Sequence, residues 1–235
     1  MILVIDTATS RAVVGLGRSA ISTARASDAF DPAVAARTWP VRHQHGETLL
    51  PTLIAFLAER GASLVDLEGI VVGTGPGAFT GLRVGLATAK GLAHGLGLPI
   101  VGVSTGEALL RASGAPGAEN GADGKLLLLL PAGPNDRVAV RPGRPPELLP
   151  GGVEPPLAEG ERVVAVDLDG RAPADAVARG DDAREGLAAA IFRIGAARLA
   201  AGEPDDLAEL VPEYVTLPRG VRASSGEVTW SRDHR

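Results

Sequence analysis

Apolar residues run without a break from Ile2 to Ile5 and stop at Asp6-Thr7, then resume at Val13–Leu16 after a polar turn. Two short apolar runs separated in this way predict a hairpin. The stretch "TWPVRHQ" predicts a third strand, with Pro40 at its end or on an edge, where a missing N–H is tolerated. From about Gly46 to Arg60 the spacing becomes helical. On a wheel, Phe56, Leu49, Leu53, Leu57, Leu50 and Ile54 fill an arc of roughly 160°, so this helix is expected to have neighbours on two sides. Gly61 is placed as its stop. A buried strand over Gly69–Val72, a glycine loop, a second helix over Phe79–Gly95 and the strand "LPIVGV" complete the order β-β-β-α-β-α-β.

Beyond Leu110 the pattern loosens. The stretch "SGAPGAENGADG" predicts a flexible connector over residues 111–124, and hence a domain boundary after residues 1–110. Strands are expected at Lys125–Leu130, Val138–Val140 and Val163–Val166, and a helix over Arg184–Ala201. The segment "LVPEYVTLP" follows, closing a second half over residues 125–218. The polar tail 219–235 is expected to be disordered, and residues 18–32 to form a long loop or insertion. The pattern predicts an α/β fold, and the element order of the first half resembles the ribonuclease-H-like unit that actin-like folds carry twice.

The second helix raises a question, because glycine weakens a helix interior by roughly 0.8–1 kcal/mol relative to alanine. One answer is a phosphate cradle. A Walker loop needs a lysine and a Ser/Thr after its last glycine, and "GTGPGAFTGLRVGLATAKGLA" has neither in place. Gly73, Gly75 and Ala78 fit a dinucleotide pattern, but the next strand ends without an acid for a ribose. The other answer is close packing. Gly81, Gly85, Ala89 and Ala93 recur every fourth position beside Leu82 and Leu86, leaving a shallow groove for another backbone. Arg83, Lys90 and His94 make the polar strip. The groove's occupant is either an internal neighbour, the Gly46–Arg60 helix, or a second protein.

Composition narrows the classes. The chain has 235 residues, 45% hydrophobic and 22% charged, enough for a sizeable core. A net charge of −5 supplies no field to draw it to nucleic acid or an anionic membrane. The absence of cysteine excludes disulfides, thiolate metal sites and cysteine nucleophiles. "MILVIDTATS" lacks a basic flank, and the leucine run stops at Pro131, so a cytoplasmic protein is expected.

Candidate chemistry is sparse. Asp6, with Thr7, Thr9 and Ser10 behind it, is placed where actin-like ATPases hold a metal-water acid and a hydroxyl-rich phosphate turn. The strands ending at Val72 and Val103 bring no further carboxylates, so Asp6 is read as fixing the turn through backbone hydrogen bonds. His43, His45 and Glu47 offer two imidazoles and one acid, too few to close a zinc shell. No metal site is expected.

Taken together, "LVIDTATSRAVVGL", "HQHGETLLPTL", "GTGPGAFTGLRVGLATAKGLA", "LPIVGVST" and the late "PEYV" resemble the TsaB family, densely over residues 1–110 and thinly afterwards. The resemblance implies an actin-like fold of two ribonuclease-H-like halves, the second degenerate. It implies a non-catalytic subunit, not an enzyme by itself, that supports a TsaD-type catalytic subunit in threonylcarbamoyl modification of the adenosine beside the tRNA anticodon. A TsaE-type ATPase would join them. ATP and metal would belong to the partners, this chain would need no cofactor, and tRNA would be touched only through the complex. The two helices would pair with TsaD, or with a second copy when the chain is alone. That assigns the partner face to His45, Glu47, Leu50, Leu53, Leu57, Gly81, Leu82, Gly85, Leu86, Ala89 and Ala93, with a vestigial nucleotide loop at Asp6, Thr7, Thr9 and Ser10.

Where the catalytic relatives carry two metal-binding histidines, "VSTGEAL" places Thr105 and Leu109, neither able to ligate a transition metal. "PAGPND" and "PEYVT", with Thr216 in place of an arginine, also depart from the family pattern. Two other classes stand beside the scaffold reading: a nucleotide-binding ATPase using Asp6 and Thr7, and a metalloprotease-like enzyme.

Overall fold

The computed structural model describes residues 1–18, 34–41, 45–114 and 125–215, with only the backbone of His45. The expected insertion over 18–32 apart from Arg18, most of the connector, His43, Thr216 and the tail lie outside the described residues.

The first apolar run becomes β1 (Ile2–Asp6), buried along its whole length at the centre of a five-stranded sheet. Antiparallel β2 (Arg11–Gly17) sets Ile2 opposite Gly17 and Asp6 opposite Val13, and β3 (Ala35–Pro40) forms the edge with Pro40 beside Arg11. On the other side β4 (Gly69–Gly75) and β5 (Ile100–Ser104) run parallel, giving the order β3-β2-β1-β4-β5. Continuous apolar runs rather than alternating ones follow from helices on both faces. Helices α1 (His45–Glu59) and α2 (Phe79–Leu96) cover Leu3, Ile5, Val14, Ile70 and Val72 with Leu49, Leu53, Phe56, Leu86 and Ala89. Gly61, at φ 65, ends α1 as expected: its N–H reaches the Ala58 carbonyl in a left-handed turn.

The opposite face is covered by α3 (Thr105–Ala112) and α4 (Ala174–Ala200). α4 has 27 residues and begins ten positions before the expected start, because its first turns bury only Ala176, Gly180 and Ala183 and leave Asp181 and Asp182 outside. The sequence division had placed this helix in the second half. Instead it bridges both. Gly180 lies against the Ala165 carbonyl, Gly186 against Ala112, Gly195 against Val71, and Phe192 lies over Gly17.

The second sheet holds β6 (Leu126–Ala132), β7 (Asp136–Val140), β8 (Glu147–Leu149) and β9 (Arg162–Ala165) in the order β8-β7-β6-β9. β6–β7 and β7–β8 are antiparallel and β6–β9 is parallel. That repeats β3-β2-β1-β4 without a fifth strand and without a helix between the third and fourth. The molecule is an actin-like fold of two ribonuclease-H-like halves, the second reduced.

Residues 203–215 form a strap rather than a strand. It shields β5, an edge that would otherwise present unpaired backbone groups. The Asp205 N–H donates to the Ile100 carbonyl, and its carboxylate accepts from the Gly102 N–H at 2.7 Å and from Arg198 at 2.7 Å. Farther along, Lys90 Nζ donates to the Leu210 carbonyl, and Arg83 lies over Phe79 while donating to Tyr214 Oη at 2.8 Å. Asp205→Ala is expected to lower stability by about 1–2 kcal/mol, with faster hydrogen exchange at the Gly102 amide. Unchanged protection there would mean the strap is held without this carboxylate.

Candidate partner face and a closed cleft

The ridge of α2 that the sequence offers to a partner faces inward. Gly81, Leu82, Gly85, Leu86, Ala89 and Ala93 are its buried residues. Thr7 Oγ1 donates to the Gly81 carbonyl at 2.6 Å, and a Cβ on Gly85 would overlap that same oxygen. The close approach that glycine permits is thus to the chain's own turn after β1. On α1, Leu53 and Leu57 are 0% and 1% exposed, inside the core against the sheet. These eight residues are corrected from partner contacts to core. The physical reason is that α2 carries small residues on both sides, so the sequence pattern does not orient it.

Glu47 and Leu50 lie on the surface, while the side chain of His45 lies outside the described residues. Around Leu50, 45% exposed, lie Pro51, Ile54, at 42%, Ala55 and Ala58, all exposed on α1. α2 adds a second small-residue stripe, Ala87, Gly91 and Gly95, also exposed at spacings of four. Nothing stands within 4 Å of where a Cβ on Gly91 or Gly95 would be. Val84, Thr88 and Leu92 are half-buried beside it. The two helices touch each other over one sheet face, and α2 carries the exposed Arg83 and His94 on the same side as its small-residue stripe. The signal for this stripe was in the sequence, one register around the wheel from the ridge.

The turn after β1 is closed. Asp6 is fully buried and its carboxyl is pushed up to about 6 by burial, offset in part by hydrogen bonds. Thr105 Oγ1 donates to Asp6 Oδ2 at 2.6 Å and itself accepts the Gly75 N–H, while the Ala8 N–H donates to Oδ1 at 3.0 Å. Gly73 passes so close that a Cβ there would overlap Oδ2. Thr7 and Thr9 spend their hydroxyl protons on the carbonyls of Gly81 and Arg11. Ser10 donates both its N–H and its Oγ–H to the Asp167 carboxylate, at 2.6 and 2.5 Å. Sequence reasoning missed Asp167, the only non-glycine residue at positive φ among the described residues, at 58°. All four loop candidates are therefore engaged by the chain itself.

Thr105 and Leu109 are buried, and among the described residues no three His, Cys, Asp or Glu side chains gather as metal ligands. On another side of α3, a cavity of about 500 Å3 lies between Glu107, Leu110 and Arg111 and the loop carrying Arg144, with Ser104 and Glu213 also in its lining. Burial raises the Glu213 carboxyl, the Ser104 hydroxyl lowers it, and the charge of Glu107 raises it again. Two carboxylates, Glu107 and Glu213, face three arginines there, of which Arg111 pairs with Glu107 and Arg141 with Glu161. No described helix is long and apolar enough to cross a membrane.

Two halves of related topology, joined by the contact of Ser10 with Asp167, define the class: an actin-like fold of two ribonuclease-H-like halves. Residues 34–145 match the sequence profile of TsaD, tRNA N6-adenosine threonylcarbamoyltransferase. An uncharacterized protein of Mycobacterium tuberculosis is 38% identical, over 40% of this chain and 51% of its own length. The tRNA threonylcarbamoyladenosine biosynthesis protein TsaB of Escherichia coli is 38% identical, over 44% of this chain and 40% of its own. The chain spans about half the length of the first curated relatives it matches. YeaZ from Pseudomonas aeruginosa superposes with a TM-score of 0.61 at 22% identity, covering 91% of this chain and 98% of that one. Over the first half the chain is thus similar in sequence to TsaB and TsaD proteins, and over nearly its whole length it shares the fold of YeaZ.

Proposed function

We propose that this chain is a non-catalytic subunit of tRNA threonylcarbamoyladenosine biosynthesis that docks a TsaD-type catalytic subunit through the exposed face of α1 and α2. The observation that carries the reading is what the two helices leave exposed: Leu50 and Ile54 on α1, and Ala87, Gly91 and Gly95 on α2, with no part of the described chain over the two glycines. Exposed apolar surface of this kind marks a contact site, and a partner helix settles against small residues with little steric penalty. The names of the relatives supply the pathway, and the engaged turn at Asp6–Ser10 supports placing chemistry, ATP and metal on other subunits. A TsaE-type ATPase completes the proposed assembly, and a second copy of the chain takes the same face when TsaD is absent. With a net charge of −5, tRNA is held by the partners.

Co-elution of the purified chain with its cognate TsaD on size exclusion is the test. The wild type is expected to form the complex, and Leu50→Glu with Ile54→Glu to abolish it while circular dichroism stays unchanged. A wild type that does not bind, or a double variant that binds equally well, overturns the proposal.

A further inference from the structure

A backbone N–H, a hydroxyl and an arginine converging on one point form the donor set that recognises a phosphate or another tetrahedral oxyanion. Such a set exists where the two halves meet. Ser10 N and Oγ reach the Asp167 carboxylate at 2.6 and 2.5 Å, and Arg184 Nη1 reaches it at 2.6 Å. The carboxylate is well shielded, its side chain 11% exposed. Asp167 holds this position at φ 58, a conformation that L side chains rarely adopt. It is reached directly after β9, at the place that matches the glycine-rich end of β4 in the first half.

We infer that Ser10 and Arg184 constitute an anion site, of the class that takes inorganic phosphate or a phosphate monoester, and that its occupant in this chain is the chain's own Asp167. The carboxylate meets three donors with one negative charge, ties the first half to the second, and keeps external phosphate out of the turn. Two other acids bear on the site. Asp181 pairs with the second nitrogen of Arg184, and Asp6 lies sealed beneath the same turn behind Thr105 and Gly73. Neither reaches Ser10, so removal of Asp167 leaves the donors converging without an acceptor.

The test uses Asp167→Gly in the full chain, since glycine suits the backbone at φ 58. Inorganic phosphate is titrated by calorimetry, with sodium chloride at matched ionic strength as the blank. The variant is expected to bind phosphate at one site at least tenfold more tightly than the wild type, and to lose that gain when Arg184→Gln is added. Asp167→Asn, which also tolerates a left-handed backbone, keeps the side-chain shape and removes the charge; it is expected to show a smaller gain with the same dependence on Arg184. Overturning results are a folded Asp167→Gly or Asp167→Asn protein no different from wild type toward phosphate, or a gain that survives Arg184→Gln. No partner protein enters the measurement, so its outcome is separate from that of TsaD docking.

Discussion

Gly85→Leu is expected to destabilise the protein itself, by about 3 kcal/mol or more, and to yield aggregated or partly folded material. The first atom of the new side chain already overlaps Thr7 Oγ1, and the rest has no room between α2 and the turn after β1. Overfilling a well-packed site typically costs about 1–3 kcal/mol, and the loss of the Thr7 hydrogen bond to Gly81 adds to it. Gly91→Leu, on the same helix, is expected to do the reverse. Its Cβ meets nothing within 4 Å, so the monomer gains roughly 0.8 kcal/mol from helix propensity. TsaD binding is nevertheless expected to fall sharply, because leucine fills the shallow stripe. Urea unfolding of both variants, paired with co-elution, checks the contrast. A stable Gly85→Leu protein would show that the ridge is not the internal contact described, and a Gly91→Leu protein that binds normally would move the docking face elsewhere.

Asp6 makes stability depend on pH in a direction unlike that of a salt-bridged acid. Burial pushes its native carboxyl up to about 6 from an ordinary value of 3.8. Between those values the native state holds a proton that the unfolded chain has released. Stability is therefore highest below pH 3.8, falls as pH rises through the window, and levels above 6, with a total loss of about 3 kcal/mol. Glu161, held down mainly by Arg141, works in the opposite sense, so the useful quantity is a difference. The stability of Asp6→Asn minus that of wild type is expected to rise from pH 4 to pH 6 and stay flat beyond. A flat difference throughout would mean that Asp6 is not the buried acid the geometry describes.

Much of the first half was legible. Unbroken apolar runs located β1, β2, β4 and β5, and a 3.6-residue period located α1 and α2, because burial on both faces of a central sheet leaves a strong linear signature. α3 was missed because its eight residues are too few for periodicity, although Ser104 and Glu107 stand three apart as a cap signal, and the Ser104 side chain indeed accepts the Glu107 N–H. β8, with three residues, carries no pattern at all. The early turns of α4 were invisible because helix–backbone contacts there need small residues, not large apolar ones.

The linear order of amino acids was sufficient for the α/β class and for the element order from β1 to β5, because each rests on local periodicity. Which side of α2 faces outward was decided only in three dimensions, where the turn after β1 comes to rest on Gly81 and Gly85. The seal on the cleft was decided there too: Ser10 and Asp167 lie 157 positions apart and meet only when two separately built sheets are packed together. Periodicity carries information over a few residues; a contact between halves carries none until the chain has folded.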